Sequence, residues 1–430
     1  MKSFKTLLFL IFVVLNFSSI ISFPDIKYKK KSRILEETTT KPKFGFIFFA
    51  DEQSTYDKNF YDSAKEVCEE LGVEAVFKFN ISKGEESYNA AKELAENGCK
   101  GVFSNSFDHE DYIIQAAKEF PNVQFSQATG TKAHTVKLSN FHNTFASIYE
   151  GRYVTGIAAG MKLKEMVDNG KIKEDEALVG YIGSYSYNAE VISGFTAFYL
   201  GVKSVCDYAK MIVRYTFSWN DEEKEAEAAE TLIDKDKCKI ISQDVDSQGA
   251  PKVCEEKEIP NVFYNNENKD LTKSYLASSK INWNIYFKYF INSVLKGEKM
   301  DYDWVGHLSD DAVIVYKASS LAAPNTQSKM DEAINNLKNG KLQVFNTSKF
   351  TVKGKTINSW KVDIDNDDLI EAISDGYFHE SEYRSAPYFN LIIDGITEEF
   401  DEIIGNLIGL AVIISLAVLA LIFMVRKCFF

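Results

Sequence analysis

Histidine is scarce in this sequence, and its five copies are scattered with no cysteine at metal-ligand spacing, so a zinc site is not expected. Positive charge is short as well. With 62 Asp and Glu against 49 Lys and Arg, the formal net charge is −13, which leaves no basic surface to hold phosphate backbones and excludes nucleic acid as an expected partner. Catalytic signatures are missing too: no Gly-x-Gly-x-x-Gly follows a strand, and there is no phosphate loop, no Gly-x-Ser-x-Gly elbow and no His-Glu-x-x-His. Acidic runs such as Asp310 with Asp311, or Asp365 to Asp368, read as solvated turns, since nothing in the sequence perturbs their ionisation. The expectation is a protein that is not an enzyme and carries no cofactor. Low complexity is confined to a polar, lysine-rich stretch, and residues 23–43 read as a linker.

What is present begins at the two ends. Two lysines in the first five residues precede the apolar run Thr6 to Ile21, which gives the charged and apolar regions of a signal peptide over residues 1–22. Ile403 to Val425 is 23 residues without a charge. As a helix that run spans roughly 34 Å, enough for a bilayer core, and predicts a transmembrane helix over 403–425. Acids at Glu398, Glu399, Asp401 and Glu402 precede it and Arg426 and Lys427 follow it, so the positive-inside bias puts residues 426–430 in the cytosol. Residues 386–402 then form an acidic juxtamembrane segment. The expectation is a single-pass type I membrane protein of the plasma membrane or an endomembrane, with the bulk of the chain extracellular or lumenal.

Five of the six cysteines, Cys68, Cys99, Cys206, Cys238 and Cys254, fall on the expected extracellular or lumenal side, an odd number for an oxidising compartment. Cys238 with Cys254 is the first disulfide candidate, because a short loop between adjacent elements would hold them together, and Cys68 with Cys99 is the second. Asn80 (Asn-Ile-Ser) and Asn346 (Asn-Thr-Ser) are N-glycosylation sequons.

Between the ends, strand and helix patterns alternate. Phe44 to Ala50 is a short apolar run of the kind buried in a parallel sheet, and Asn59 to Leu71 follows with helical spacing. The same beat returns three times before Ala177 to Gly183 opens a second series. Two such series predict an α/β protein of two doubly wound parallel-sheet lobes whose strand ends face a central cleft. The expected first lobe comprises 44–165 and 285–325, and the second 166–284 and 326–385.

Seven stretches, in order, then carry a resemblance: YDKNFYDSA at 56–64, AAKEFPNVQF at 116–125, YEGRYVTGIAAG at 149–160, FYLGVKSV at 198–205, EAEAAETLID at 225–234, SKINW at 279–283 and LKNGKLQVF at 337–345. Over about Lys43 to Phe378 the chain resembles the basic membrane protein family. These are receptors of the type I periplasmic-binding-protein fold that capture purine nucleosides for uptake transporters.

The resemblance implies an aromatic pair that sandwiches a base and carboxylates that accept hydrogen bonds from base and ribose, with each stacking contact worth roughly 1–3 kcal/mol. It puts Asp51, Phe60, Phe107 and Asp111 at the ligand from the first lobe. From the second it puts Phe198, Trp219, Asp246, Asn265 and Glu267 there. Phe60 and Phe198 also have helical spacing and would serve as core, Trp219 would also pack between lobes, and Asp246 and Glu267 would also stand as solvated loop acids. The chain departs from the family pattern at Tyr61, Thr129, Asp244 and Asn265, and no lipid-anchor cysteine follows the apolar leader. Three functions remain open: a membrane-anchored small-ligand receptor for a purine nucleoside, with an unidentified transporter; a surface adhesin that keeps the fold without the ligand; and, least expected, a nucleoside-cleaving enzyme, which would need a metal cluster or activated nucleophile that the sequence does not show. Retained cleft aromatics favour the first, and the lost acids at Thr129 and Asn265 favour the second.

Overall fold

A computed structural model describes residues 41–364 and 369–400. The expected signal peptide, the expected transmembrane helix and the Asp365 to Asp368 run lie outside the described residues. No helix among the described residues is long and apolar enough to cross a membrane.

The first lobe opens with β1 (Lys43–Ile47), α1 (Thr55–Glu70), β2 (Glu74–Lys78), α2 (Glu85–Glu96), β3 (Cys99–Ser104), α3 (Glu110–Glu119), β4 (Gln124–Ala128), the single turn α4 (Ala133–Val136) and β5 (Phe141–Ala146). The chain crosses to the second lobe for α5 (Ile148–Asp168), β6 (Leu178–Gly183), α6 (Ala189–Lys203), β7 (Lys210–Tyr215), α7 (Glu222–Asp234), β8 (Ile240–Gln243), α8 (Gly249–Lys257), β9 (Asn261–Tyr264) and β10 (Tyr275–Ile281). It returns for α9 (Trp283–Lys296) and β11 (Asp303–Gly306), then crosses again to β12 (Val313–Val315) and α10 (Thr326–Lys338). Two small ribbons, β13 (Lys361–Asp363) with β14 (Leu369–Glu371) and β15 (Ile373–Ser374) with β16 (Tyr377–Phe378), precede β17 (Ile396–Glu399).

The first sheet has the order β11-β5-β4-β3-β1-β2 and is parallel throughout. The second has the order β12-β10-β9-β8-β6-β7-β17 and is parallel except at β12. In each sheet the strand order reverses once, between β1 and β3 and between β6 and β8. Chains leaving such neighbouring strands diverge to opposite faces, which opens a crevice beyond the strand ends where ligands bind. The apolar β1 serves both faces of its sheet: Phe44 and Phe46 join one core and Ile47 the other.

The helix pair α5 and α6 fixes the lobe boundary. A Cβ at Gly156 would stand 2.1 Å from the Phe198 carbonyl oxygen, and one at Gly201 would stand 2.0 Å from that of Tyr153. Only glycine lets the two backbones approach so closely, and the contact places α5 in the second lobe. The expected boundary at 165 is therefore corrected to the crossing at Ser147, and α9 brings the chain back from Trp283. Periodicity marks a helix but does not say which sheet it covers.

Two further expectations are corrected. The segment expected as a juxtamembrane stretch, 386–402, belongs to the second lobe as far as it is described, to residue 400: Tyr388, Phe389, Leu391 and Ile393 are buried, and β17 pairs with β7 in register Ile396↔Met211 through Glu399↔Arg214. Its acids disguised an edge strand, and Glu398 accepts a 2.7 Å hydrogen bond from the Tyr215 hydroxyl. Neither disulfide candidate is a bridge, since Cys68, Cys99, Cys238 and Cys254 are all buried free thiols. Cys68 and Cys99 belong to cores on opposite faces of the first sheet. Cys238 and Cys254 share one core, where Cys254 Sγ accepts from Asn261 Nδ2 at 3.7 Å. Burial pushes the thiols of Cys68, Cys238 and Cys254 up to about 12 and that of Cys99 to about 11.

Candidate ligand cleft

Beyond the carboxyl ends of both sheets lies a cleft with about 490 Å³ of empty space, part of it open to solvent. The first lobe contributes Phe49, Tyr56 and Asp57 after β1, Asn105, Ser106 and Phe107 after β3, and Thr129 after β4. The second contributes Glu190 at the start of α6, Trp219 after β7, Asp244 and Asp246 after β8, and Tyr264 at the end of β9. Every one of these positions ends or follows a strand, or lies in the first turn of a helix, at the crevice, so the topology assembles the site from seven separate segments.

Aromatic rings face the space from both sides. Trp219 is braced by Tyr185 at 5.3 Å between ring centroids, and Tyr185 in turn by Tyr187 at 5.5 Å. Behind Tyr264, the Arg152 guanidinium lies 3.7 Å from the ring centroid, and its terminal nitrogen donates to the Gln243 carbonyl at 2.7 Å. That cation is almost wholly buried, and its Nε has no hydrogen-bond partner among the described residues.

The four acids differ in their partners. Asp57 is saturated: it accepts from the Ala50 N–H at 3.1 Å, the Asn105 amide at 2.7 Å and the Ser54 hydroxyl at 2.7 Å, the last as part of the cap of α1. Asp244 accepts from the Ser184 N–H at 3.1 Å. The carboxyls of Asp246 and Glu190 have no hydrogen-bond partner from the described residues. Desolvation disfavours their charged forms, raising Asp244 to about 7, Glu190 to about 8 and Asp246 well above the usual carboxylate range. The lobes meet here, as the Thr55 N–H and hydroxyl donate to the Asp246 carbonyl at 3.0 and 3.3 Å.

Of the residues expected at the ligand, the structure brings Phe107, Trp219 and Asp246 together in the cleft. Phe60 is fully buried in the first-lobe core, stacked on Trp283 at 4.2 Å with Phe103 at 5.5 Å; Tyr56, one turn earlier on the same helix face, points its ring into the cleft instead. Phe198 is fully buried beside Tyr181 in the second-lobe core. Asp51 stands outside the cleft lining and closes a turn by accepting from the Gln53 N–H at 3.0 Å. Asp111 is exposed and pairs with Lys132. Asn265 is buried with φ +61°, donating its N–H to the Ser279 carbonyl at 3.0 Å, and Glu267 pairs with Lys269 at 2.8 Å over a separate depression beside Tyr275. Asn80 is exposed, whereas Asn346 is half-buried with its side-chain oxygen accepting from the Ser348 N–H and hydroxyl.

Sequence reasoning passed over Phe49, Tyr56, Asp57, Asn105, Glu190 and Tyr264, and noted Thr129 and Asp244 only as departures. Strand-end position was the available signal: Asn105 directly follows β3, Phe49 lies two residues beyond β1, and Tyr264 ends β9.

Two α/β lobes with an aromatic, acid-lined cleft at both strand-order reversals define a two-lobed solute-binding protein. The chain belongs to the family described as ABC transporter substrate-binding protein PnrA-like, which matches residues 47–349. It is 36% identical over 224 residues to a purine-binding protein of Brucella abortus (strain 2308), covering 51% of this chain and 59% of that one. It is 27% identical over 223 residues to a putative ABC transporter glucose-binding protein of Haloferax volcanii, covering 51% and 53%. The chain thus spans less than two thirds of either relative's own length. Among solved structures it is similar to a solute-binding protein from Conexibacter woesei, with a TM-score of 0.58 at 18% identity over 70% of this chain and 98% of that one. A solute-binding protein from Aeropyrum pernix gives 0.57 at 12% identity over 73% and 94%. At such identities the likeness establishes the type I periplasmic-binding-protein fold and nothing finer.

Proposed function

We propose that the chain captures a purine or purine nucleoside in the interlobe cleft, for uptake or sensing, with the lobes outside a membrane as the sequence leads one to expect. The observation that carries this is the pairing of aromatic walls from both lobes, Tyr56 and Phe107 against Trp219 and Tyr264, with carboxyls that lack partners of their own. A purine has two apolar faces and a rim of donors and acceptors, and that pairing answers both. The purine-binding relative in Brucella abortus supports the same ligand class, and membership of a family of substrate-binding proteins supports binding over catalysis.

Adenosine, guanosine or inosine is expected to raise the melting temperature of the purified chain. A ligand that binds only the folded state adds RT ln(1 + [L]/Kd), about 2.7 kcal/mol at a hundredfold excess over Kd. Trp219→Ala should abolish most of that shift, since it removes a stacking face. Flat melts across the common nucleosides and bases would overturn the proposal and leave the adhesin alternative as the better account.

A further inference from the structure

We infer that the open side of the cleft faces the bilayer, with its mouth held against the lipid surface, so that solute enters and leaves the cleft beside the membrane. This orientation rests on the reading that Ile403 to Val425 spans a membrane with the lobes outside it, and it is independent of which solute the cleft takes.

The crossings between the lobes decide which side is open. All of them leave from one edge of the sheets, where β11 and β5 are the outermost strands of the first and β12 and β10 those of the second. The opposite edges, β2 and β17, therefore flank the mouth. Because β17 is parallel to β7, it runs towards the carboxyl side of its sheet, where the cleft lies. The chain thus leaves the second lobe at the waist of the molecule and not at its far end.

That exit is held in place. Pairing with β7 continues to Glu399↔Arg214, the Tyr215 hydroxyl donates to Glu398 at 2.7 Å, and the Phe400 ring stacks on Tyr215 at 5.5 Å and lies 6.5 Å from Phe217. Phe217 leads directly to Trp219 in the cleft lining. Only Asp401 and Glu402 separate Phe400 from Ile403, and the extended chain between those two residues reaches at most about 11 Å. A flat bilayer within that reach of the waist has to lie along both lobes, since a plane set across the strands would cut through the first lobe. From β17 to β12 the second sheet spans about 29 Å at about 4.8 Å per strand, so the crossings point away from the lipid.

Energy transfer from placed fluorophores to lipid reads this orientation in the full chain, held in phosphatidylcholine nanodiscs with an acceptor dye on some of the headgroups. Lys83→Cys after β2 and Asn220→Cys after β7 mark the two sides of the mouth, and Ser309→Cys marks the crossing between β11 and β12. All three positions are exposed, so each variant should melt with the parent. Cys428→Ser removes the tail thiol, and the other five cysteines are buried out of reach of the label. A folded body of about 350 residues is about 50 Å across, so transfer from positions 83 and 220 should each exceed that from 309 by at least about threefold. Transfer from position 309 that equals or exceeds that from either mouth position would overturn the orientation and leave the membrane reading and solute capture intact. A full chain that stays folded in detergent but does not enter nanodiscs would overturn the membrane reading and the orientation with it, while purine capture would stand.

Discussion

Phe60 and Trp219 are both aromatic residues that family resemblance puts at a ligand, and their surroundings assign them opposite roles. Phe60 has no exposed surface and packs against Trp283, Phe103 and Phe48, so Phe60→Ala should leave a cavity and lower unliganded stability by about 3–5 kcal/mol in denaturant unfolding. Trp219 is partly exposed and borders empty space, so its truncation should change unliganded stability much less and ligand response much more. A Phe60→Ala chain as stable as the parent would mean that the stack on Trp283 is not formed. The sequence left this choice open for a physical reason. Tyr56 and Phe60 sit one turn apart on α1, and helical spacing identifies the stripe they share without saying which end of it is roofed by α9 and which by the cleft. Trp219 and Asp246 were open in the same way, the first between ligand and interlobe packing and the second between ligand and solvent; the structure puts both in loops beyond strand ends, which in an open parallel sheet have the crevice as their surroundings. Glu190 was passed over, since an acid in the first turn of a helix is explained equally well by the helix dipole.

At the scale of elements, the buried apolar runs were legible wherever both faces of a strand are covered. ALVGYIG became β6 with little displacement, and FGFIFFA gave β1 and the turn beyond it. Edge elements were not legible, because one side of an edge strand faces solvent and its composition follows that side. The strand β17 is the clearest case, reading ITEE in sequence yet pairing along its length with β7. The chain before it carries Leu391 and Ile393 into the core, and Ile396 is also buried. A chain ended after Tyr388 loses these three side chains, the fully buried Phe389 and the edge pairing, whereas one ended after Phe400 keeps them. Each buried aliphatic contributes about 1.5–3 kcal/mol, so the shorter chain should melt far lower or fail to fold cooperatively. Equal melting temperatures for the two chains would show that β17 is dispensable.

On the scale of the whole molecule, the lobes are joined at three crossings and again by the segment after β16. The crossings are stitched together: the Ser147 N–H donates to the Gly306 carbonyl at 2.8 Å, the Asn282 N–H to the Ala312 carbonyl at 2.8 Å, and the Leu308 N–H to the Glu150 carboxyl at 2.7 Å. Farther along, Ser385 donates its N–H and hydroxyl to Asp303 on β11 at 2.9 and 2.8 Å, while Glu380 accepts from the Tyr388 and Phe389 N–H groups. Burial at these joints and in the cleft pushes Glu150, Glu225, Asp244 and Glu380 up to about 7 and Glu190 to about 8. An acid whose folded pKa is raised holds its proton longer in the folded chain than in the unfolded one, so its contribution to stability is complete at low pH and is lost as pH rises through the folded pKa. Buried His109, pushed down to about 4, and the lowered His142 and His307 work in the opposite sense, but their effect is confined below about pH 6.5, where unfolded histidine takes up its proton. Between about pH 6.5 and 8 the carboxyls therefore act alone, and the unliganded melting temperature should fall as pH rises. Ligand response should run the other way. Around Asp246 and Glu190 stand Asp57, Asp244, Glu225, Tyr56, Tyr264 and Arg152, and each acid that ionises strengthens the acceptors offered to a donor-rich ligand. The melting shift given by a fixed excess of guanosine should accordingly grow over the same window, and calorimetric titration should register proton release on binding. An unliganded melt that stays flat or rises from about pH 6.5 to 8 would mean that these carboxyls are already ionised in the folded chain. A guanosine shift that shrinks would mean that they act as protonated donors to the ligand rather than as acceptors.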